Sequence, residues 1–166
     1  NDSDHLRLAA TQSGADLKET FGRLCRLHGE LEASFEARWY GFARSDRLGY
    51  LGACPLVLGT CLSAAATLRI PLLGARPRFQ ELCGQLGLQP QAEGFGGGVW
   101  TVRNRECLGS SEVEQVSRVI LGCRRLLDLE ESLEKGEEVV LEVEVSTGAD
   151  LGTPLAPPAA EEEERV

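Results

Sequence analysis

The chain has only two histidines and no Cys-x-x-Cys pair among its six cysteines, Cys25, Cys54, Cys61, Cys83, Cys107 and Cys123. A structural zinc site therefore lacks a ligand set. The wide cysteine spacing suits reduced thiols in a cytoplasmic protein, although an even count leaves bridges open. Long apolar runs are also missing. The stretch over 51–62 is broken by Gly, Pro and Thr, well short of the roughly 18 residues of a spanning helix, which excludes a transmembrane segment. The chain contains no methionine and opens on Asn1 without a basic-then-apolar leader; processing or a fragment is the expectation. Basic surface is scarce as well. Nine acids against Arg165 fall in 137–166, so the tail carries most of the net charge of −9 and the first 136 residues are close to neutral. With no basic stripe in that body, nucleic acid and anionic membrane are excluded as main partners.

What is present is one domain's worth of ordinary globular sequence: 166 residues, 42 % hydrophobic and 26 % charged. Leu6, Leu8 and Ala10 alternate as in a half-buried strand. Asp16 can cap a helix, with Glu19 three residues on, and Leu17, Phe21, Leu24, His28, Leu31 and Phe35 recur at helical spacing. His28 on that stripe is expected to pack rather than to ligate. Strands are expected over 50–54 and 66–70, then a short helix opened by Pro77 with Phe79, Leu82, Cys83 and Leu86 on its apolar face.

Residues 87–98 read as a loop ending in Gly94-Phe95-Gly96-Gly97-Gly98, followed by a strand over 99–102. That glycine run is a weak phosphate signal, since it lacks the lysine and the strand-loop-helix order of a nucleotide motif. A long helix is expected from a Ser111 cap, with Glu114 completing a capping box, through Val113, Val116, Ile120, Cys123, Leu127 and Leu133 to Gly136. Residues 137–148 hold a further strand candidate. Residues 149–166, rich in Pro, Ala and Glu, read as a disordered acidic tail, either simply solvated or able to engage a basic surface. Strands and helices without a regular βαβ repeat make the fold class α+β.

Three motifs carry a resemblance to a known family. The run from Leu108-Gly109-Ser110-Ser111-Glu112-Val113-Glu114-Gln115-Val116 to Leu133-Glu134-Lys135-Gly136 resembles the last helix of creatine kinases. Leu48-Gly49-Tyr50-Leu51-Gly52-Ala53-Cys54-Pro55, continued by Leu58-Gly59-Thr60, resembles the strand bearing that family's reactive cysteine. Asn1-Asp2-Ser3-Asp4-His5-Leu6-Arg7 resembles its Asn-Glu-Glu-Asp-His-Leu-Arg. Over residues 1–136 the chain is thus similar to the carboxy-terminal domain of phosphagen (ATP:guanidino) kinases. The resemblance implies an antiparallel sheet flanked by helices, of the glutamine synthetase-like kind, and implies that the family's helical amino-terminal domain is absent here.

In that family catalysis is positioning and charge neutralisation: arginines and magnesium hold the nucleotide phosphates, a carboxylate holds the guanidinium, and a thiolate supports it. Several of those parts are changed. Ser3 replaces the carboxylate assigned as base, and Asp2 shortens its neighbour. Losing a positioned base typically costs about 10²- to 10⁴-fold. His5 keeps its place, and Arg7 stands where a phosphate-binding arginine is expected, as an anion contact or as a fold-supporting surface residue. Cys54 matches the reactive cysteine, but Leu56 and Val57 replace the polar pair after Pro55, which favours a neutral structural thiol. Ser63 takes the place of a phosphate-clamping arginine, Thr67 of an adenine-side histidine and Thr101 of an acidic nucleotide-site residue. The mobile loop is reduced to Ala92-Glu93-Gly94-Phe95-Gly96-Gly97-Gly98, without arginine.

The expectation is therefore a pseudoenzyme: a creatine kinase-like domain kept as a binding or structural module, with no cofactor and with a protein partner or dimer subunit. The alternative is an active guanidino phosphotransferase using Mg-ATP or ADP and a guanidino substrate.

Overall fold

The computed structural model describes residues 6–52, 54–94 and 97–139. Asp16 opens helix α1 (Leu17–Glu36), its carboxylate accepting from the Glu19 amide at 2.8 Å. The return half of a capping box does not form, because the Glu19 carboxylate accepts from Gln12 Nε2 instead. A short hairpin follows, β1 (Arg44–Ser45) with β2 (Gly49–Tyr50), then a 3₁₀ turn over Pro55–Val57. Among the described residues, the expected strand over 50–54 is thus confined to its first.

The main sheet is antiparallel, in the order β3 (Ala65–Arg69), β5 (Val99–Asn104), β4 (Leu88–Ala92). Between β3 and β4 lie α2 (Pro71–Gly74), with Pro at its first position, and α3 (Phe79–Gln85), with the expected apolar face. Strand β4 replaces the loop expected there. Gln and Pro90 mask it in the sequence, but it is an edge strand whose backbone pairs with β5 alone, and such a position tolerates a missing amide donor.

Helix α4 (Glu112–Glu134) starts in the complete Ser111/Glu114 capping box. Serine donors hold the Glu114 carboxyl below its usual range. The helix lies across the sheet with α2 and α3. Its buried face is Val116, Val119, Cys123, Leu126 and Leu129, rotated from the expected stripe so that Leu127 is exposed. These residues meet Ile70, Leu73, Phe79, Leu82, Leu88 and Val102 in one core, with Phe79 edge-on to Trp100 at 4.8 Å. Glu130, buried on the same helix, accepts from the Leu72 and Leu73 amides at 2.9 and 2.6 Å and so satisfies the start of α2.

No strand forms over 6–10. The alternation there has no partner strand among the described residues, and the following segment is tied to α1 instead, Arg23 donating to Thr11 O and Gln12 Oε1. Leu17 and Phe21 bring α1 to the core. Farther along, His28 stacks on Phe42 at 5.2 Å, with its Nε2 3.2 Å from the Tyr50 hydroxyl, and is a packed residue as expected. Val139 is the last described residue of the strand candidate over 137–148; the rest, and the tail over 149–166, lie outside the described residues. Among the described residues no helix is long and apolar enough to cross a membrane.

Candidate functional site

The pleat of the sheet sends Val102, Asn104 and Leu88 toward the helices and leaves Thr67 and Arg69 of β3, Thr101 and Arg103 of β5, and Gln89 and Gln91 of β4 on the opposite face. Thr67 and Thr101 stand directly opposite each other, and their hydroxyls are hydrogen-bonded at 2.8 Å. Arg103 donates to Gln91 Oε1 on the neighbouring strand. Ser63, just before β3, is exposed. The two positions expected to carry a histidine and a carboxylate therefore hold short neutral hydroxyls that satisfy one another.

Cys54 is exposed at the start of the 3₁₀ turn and, with Ser63, lines a cleft of about 690 Å³ between the sheet and α3. Val57, Arg103 and Arg105 also face that space. The described part of the glycine loop borders a different cavity, of about 300 Å³, beside Pro71 and Trp100. Arg7 is exposed ahead of α1 and lines neither cavity. Asp2, Ser3 and His5 lie outside the described residues. Cys54 and Ser63 are thus brought to one cleft and Thr67 and Thr101 to adjoining strands, whereas Arg7 is not gathered with them.

The preserved Gly59-Thr60 motif has a structural explanation. Gly59 adopts φ 110°, and a Cβ there would collide with the Cys107 carbonyl. The Thr60 amide donates to that same carbonyl at 3.0 Å, and its hydroxyl donates to Gln115 Oε1 at 2.8 Å. Fully buried Gln115 donates in turn to the carbonyls of Cys107 and Ser110. Asn104 accepts from the Ala64 amide and donates to the Leu62 and Glu106 carbonyls. This polar seam joins the loops before β3 and after β5 to α4.

Burial pushes the Cys107 thiol up, partly offset by the Asn104 amide that donates to it and by the neighbouring Thr60 side chain. It drives Cys83 to about 12 and Cys123 to about 11. Those two are neutral packing thiols. Among the described residues no cluster of three or more His, Cys, Asp or Glu could hold a metal. Sequence reasoning missed Arg103, Arg105, Asn104 and Gln115. The alternation of Thr101 and Arg103 along β5 is a signal for the first, whereas the seam has none short of tertiary contact.

Residues 1–133 match the family described as ATP:guanido phosphotransferase, C-terminal catalytic domain. The chain is 38 % identical over 144 residues to the creatine kinase B-type of Gallus gallus, and 35 % identical to the creatine kinase M-type of Canis lupus familiaris. Each match takes in 84 % of this chain and 38 % of the relative, so the chain spans well under half the length of the curated relatives it matches. Among solved structures it is similar to a lombricine kinase, at TM-score 0.72 and 31 % identity over 76 % of this chain and 36 % of the other. It is also similar to the duplicated taurocyamine kinase of Schistosoma mansoni with bound transition-state-analogue components, at TM-score 0.67 and 35 % identity over 75 % and 17 %.

Proposed function

Because the chain belongs to the ATP:guanido phosphotransferase family through its C-terminal catalytic domain, we propose that it is a degenerate member of it, a pseudoenzyme retained as a binding or structural module. The observation that carries this reading is the Thr67–Thr101 pair. Two hydroxyls bonded to each other at 2.8 Å stand where the family resemblance calls for a histidine and a carboxylate. Neutral, mutually satisfied groups offer little charge or directed hydrogen bonding to a nucleotide. Ser63 supplies no cation, and the glycine loop contains no arginine. The residues present therefore do not fit a Mg-nucleotide, and transition-state arginines can each be worth about 10³- to 10⁵-fold. At the amino-terminal motif Ser3 supplies no base, and Asp2 keeps only a shortened carboxylate. Cys54, next to the apolar Val57, is read as a structural thiol.

The module reading calls for a protein partner or a second subunit. Trp39 and Tyr40 support it, being 97 % and 71 % exposed in the connection after α1. Six cysteines without a disulfide among the described residues suit a cytoplasmic protein. The alternative, an active guanidino phosphotransferase, keeps in its favour the counterparts Arg7, His5 and Cys54 and the activity named in its creatine kinase relatives.

The two readings separate in one assay. The full-length protein, supplied with phosphocreatine and Mg-ADP, is expected to form no ATP and to show no thermal stabilisation by millimolar Mg-ADP. ATP formation that disappears in Cys54→Ser would establish the enzyme instead. A nucleotide-induced shift reversed by Arg7→Ala would restore nucleotide binding.

A further inference from the structure

One flank of helix α4 gathers arginines from two elements. Arg118 and Arg125 stand seven positions apart, which places them two turns apart on one face of the helix. Arg118 lies over the turn after α3, its Cδ 2.7 Å from the position that a Cβ on Gly87 would take. Arg105, arriving from the end of β5, sets its guanidinium 3.6 Å from the corresponding position on Gly84, three residues earlier. Arg105 and Arg118 thus meet at one turn, a grouping that the nearly neutral sequence does not display. Among the described residues none of the three arginines is in an ion pair, although Glu106, Glu114 and Asp128 are close by in sequence. The Glu114 carboxylate is taken up by the Ser111 amide and hydroxyl at 2.7 and 2.8 Å.

The chain itself supplies the opposite charge. Glu161, Glu162, Glu163 and Glu164 are consecutive in a tail that carries most of the net charge of −9. The last described residue, Val139, packs against the core just beyond the end of α4, so the acidic run is tethered to the helix that bears Arg118 and Arg125. Arg125 and Arg118 lie about 14 and 24 Å back from the end of that helix, at 1.5 Å per residue. From Val139 to Glu161 is 22 positions, and a random-coil linker of that length has an r.m.s. span of about 26 Å. A tether matched to the distance it must cross gives an effective concentration in the millimolar range. Exposed ion pairs are individually weak, but several of them acting together at that concentration hold a contact that free peptides would not. We propose that the acidic run 161–164 docks within its own chain on the flank of α4 formed by Arg105, Arg118 and Arg125. The contact needs neither nucleotide nor partner, so it stands or falls separately from the module reading.

Limited proteolysis of the full chain with a glutamate-specific protease tests this, since cleavage within 161–164 follows the undocked population. Relative to the free peptide of residues 149–166 in the same buffer, cleavage in the full chain at low salt is expected to be slowed about threefold or more. The protection should vanish in Arg118→Gln/Arg125→Gln and in about 1 M salt, where the screening length falls to about 3 Å. Arg118→Lys/Arg125→Lys keeps both charges and should keep the protection, which separates lost charge from lost packing of the Arg118 stem over Gly87. Arg47→Gln/Arg69→Gln makes the same charge change on the hairpin and on the far face of the sheet and should leave the rate unaltered. Circular dichroism verifies the fold of each variant. Equal rates for chain and peptide, protection that survives high salt or Arg118→Gln/Arg125→Gln, or its loss in Arg47→Gln/Arg69→Gln would each overturn the proposal. Protection that grows with protein concentration would overturn it in favour of docking on a second copy.

Discussion

Two polar regions lie at the same sheet and differ in what their side chains touch. In the seam behind β5, Asn104 and Gln115 are buried and each makes several hydrogen bonds to backbone groups of the neighbouring loops. On the solvent face, Thr67 and Thr101 bond to each other and Arg103 bonds to Gln91. A buried network tolerates little change because each lost partner strands a desolvated group, whereas an exposed pair can fall back on water. The Gly59-Thr60 motif therefore has a structural role of its own: it holds the loops to α4 whether or not any reaction occurs.

Substitutions can break that contrast. Gly59→Ala should be the most damaging, destabilising by about 4 kcal/mol or failing to fold, because it combines a positive φ with a collision against the Cys107 carbonyl. Urea unfolding reads this directly; a loss below about 1 kcal/mol would mean that the seam is pliable. Gln115→Ala should cost roughly 2 kcal/mol in the same measurement, since it strands the Thr60 hydroxyl proton and the Ser110 carbonyl and removes one of the two donors to the Cys107 carbonyl.

Ser111→Ala should cost about 1 kcal/mol by removing the cap of α4. Its partner Glu114 adds a pH signature. The folded carboxyl is held below its ordinary value by Ser111, so its contribution is present above the unfolded carboxylate range and is lost as pH falls through the folded value. Glu114→Gln should flatten that acid limb of the stability profile; an unaltered slope would show that the cap contributes no linkage. Thr67→Val should have the smallest effect, within about 0.5 kcal/mol. A larger loss would move the solvent face into the same class as the seam.

Legibility in the sequence followed the range of the interactions. Both helix caps were readable because Asp16 with Glu19 and Ser111 with Glu114 each act across three residues. The buried face of α4 was only partly readable. Val116 and Cys123 belong to it, but Leu127 does not, because the angle at which the helix meets the sheet decides which flank is covered. The strand expected over 6–10 has a sound alternating pattern and no ladder, and β4 has a poor pattern and a complete one. In both cases the presence of a neighbour outweighed propensity.

For the site, the sequence by itself pointed to the family and showed which residues stand at 63, 67 and 101 and that the glycine loop contains no arginine; that these replace a clamp is what the resemblance implies. These are questions of residue identity, answerable position by position. Only the tertiary structure decided that Thr67 and Thr101, separated by 34 positions, meet as one hydrogen-bonded pair. It likewise placed Arg103 and Arg105 in the cleft of Cys54. Register between distant strands, set by burial of the opposite sheet face against α4, determines those meetings, and no local pattern encodes them.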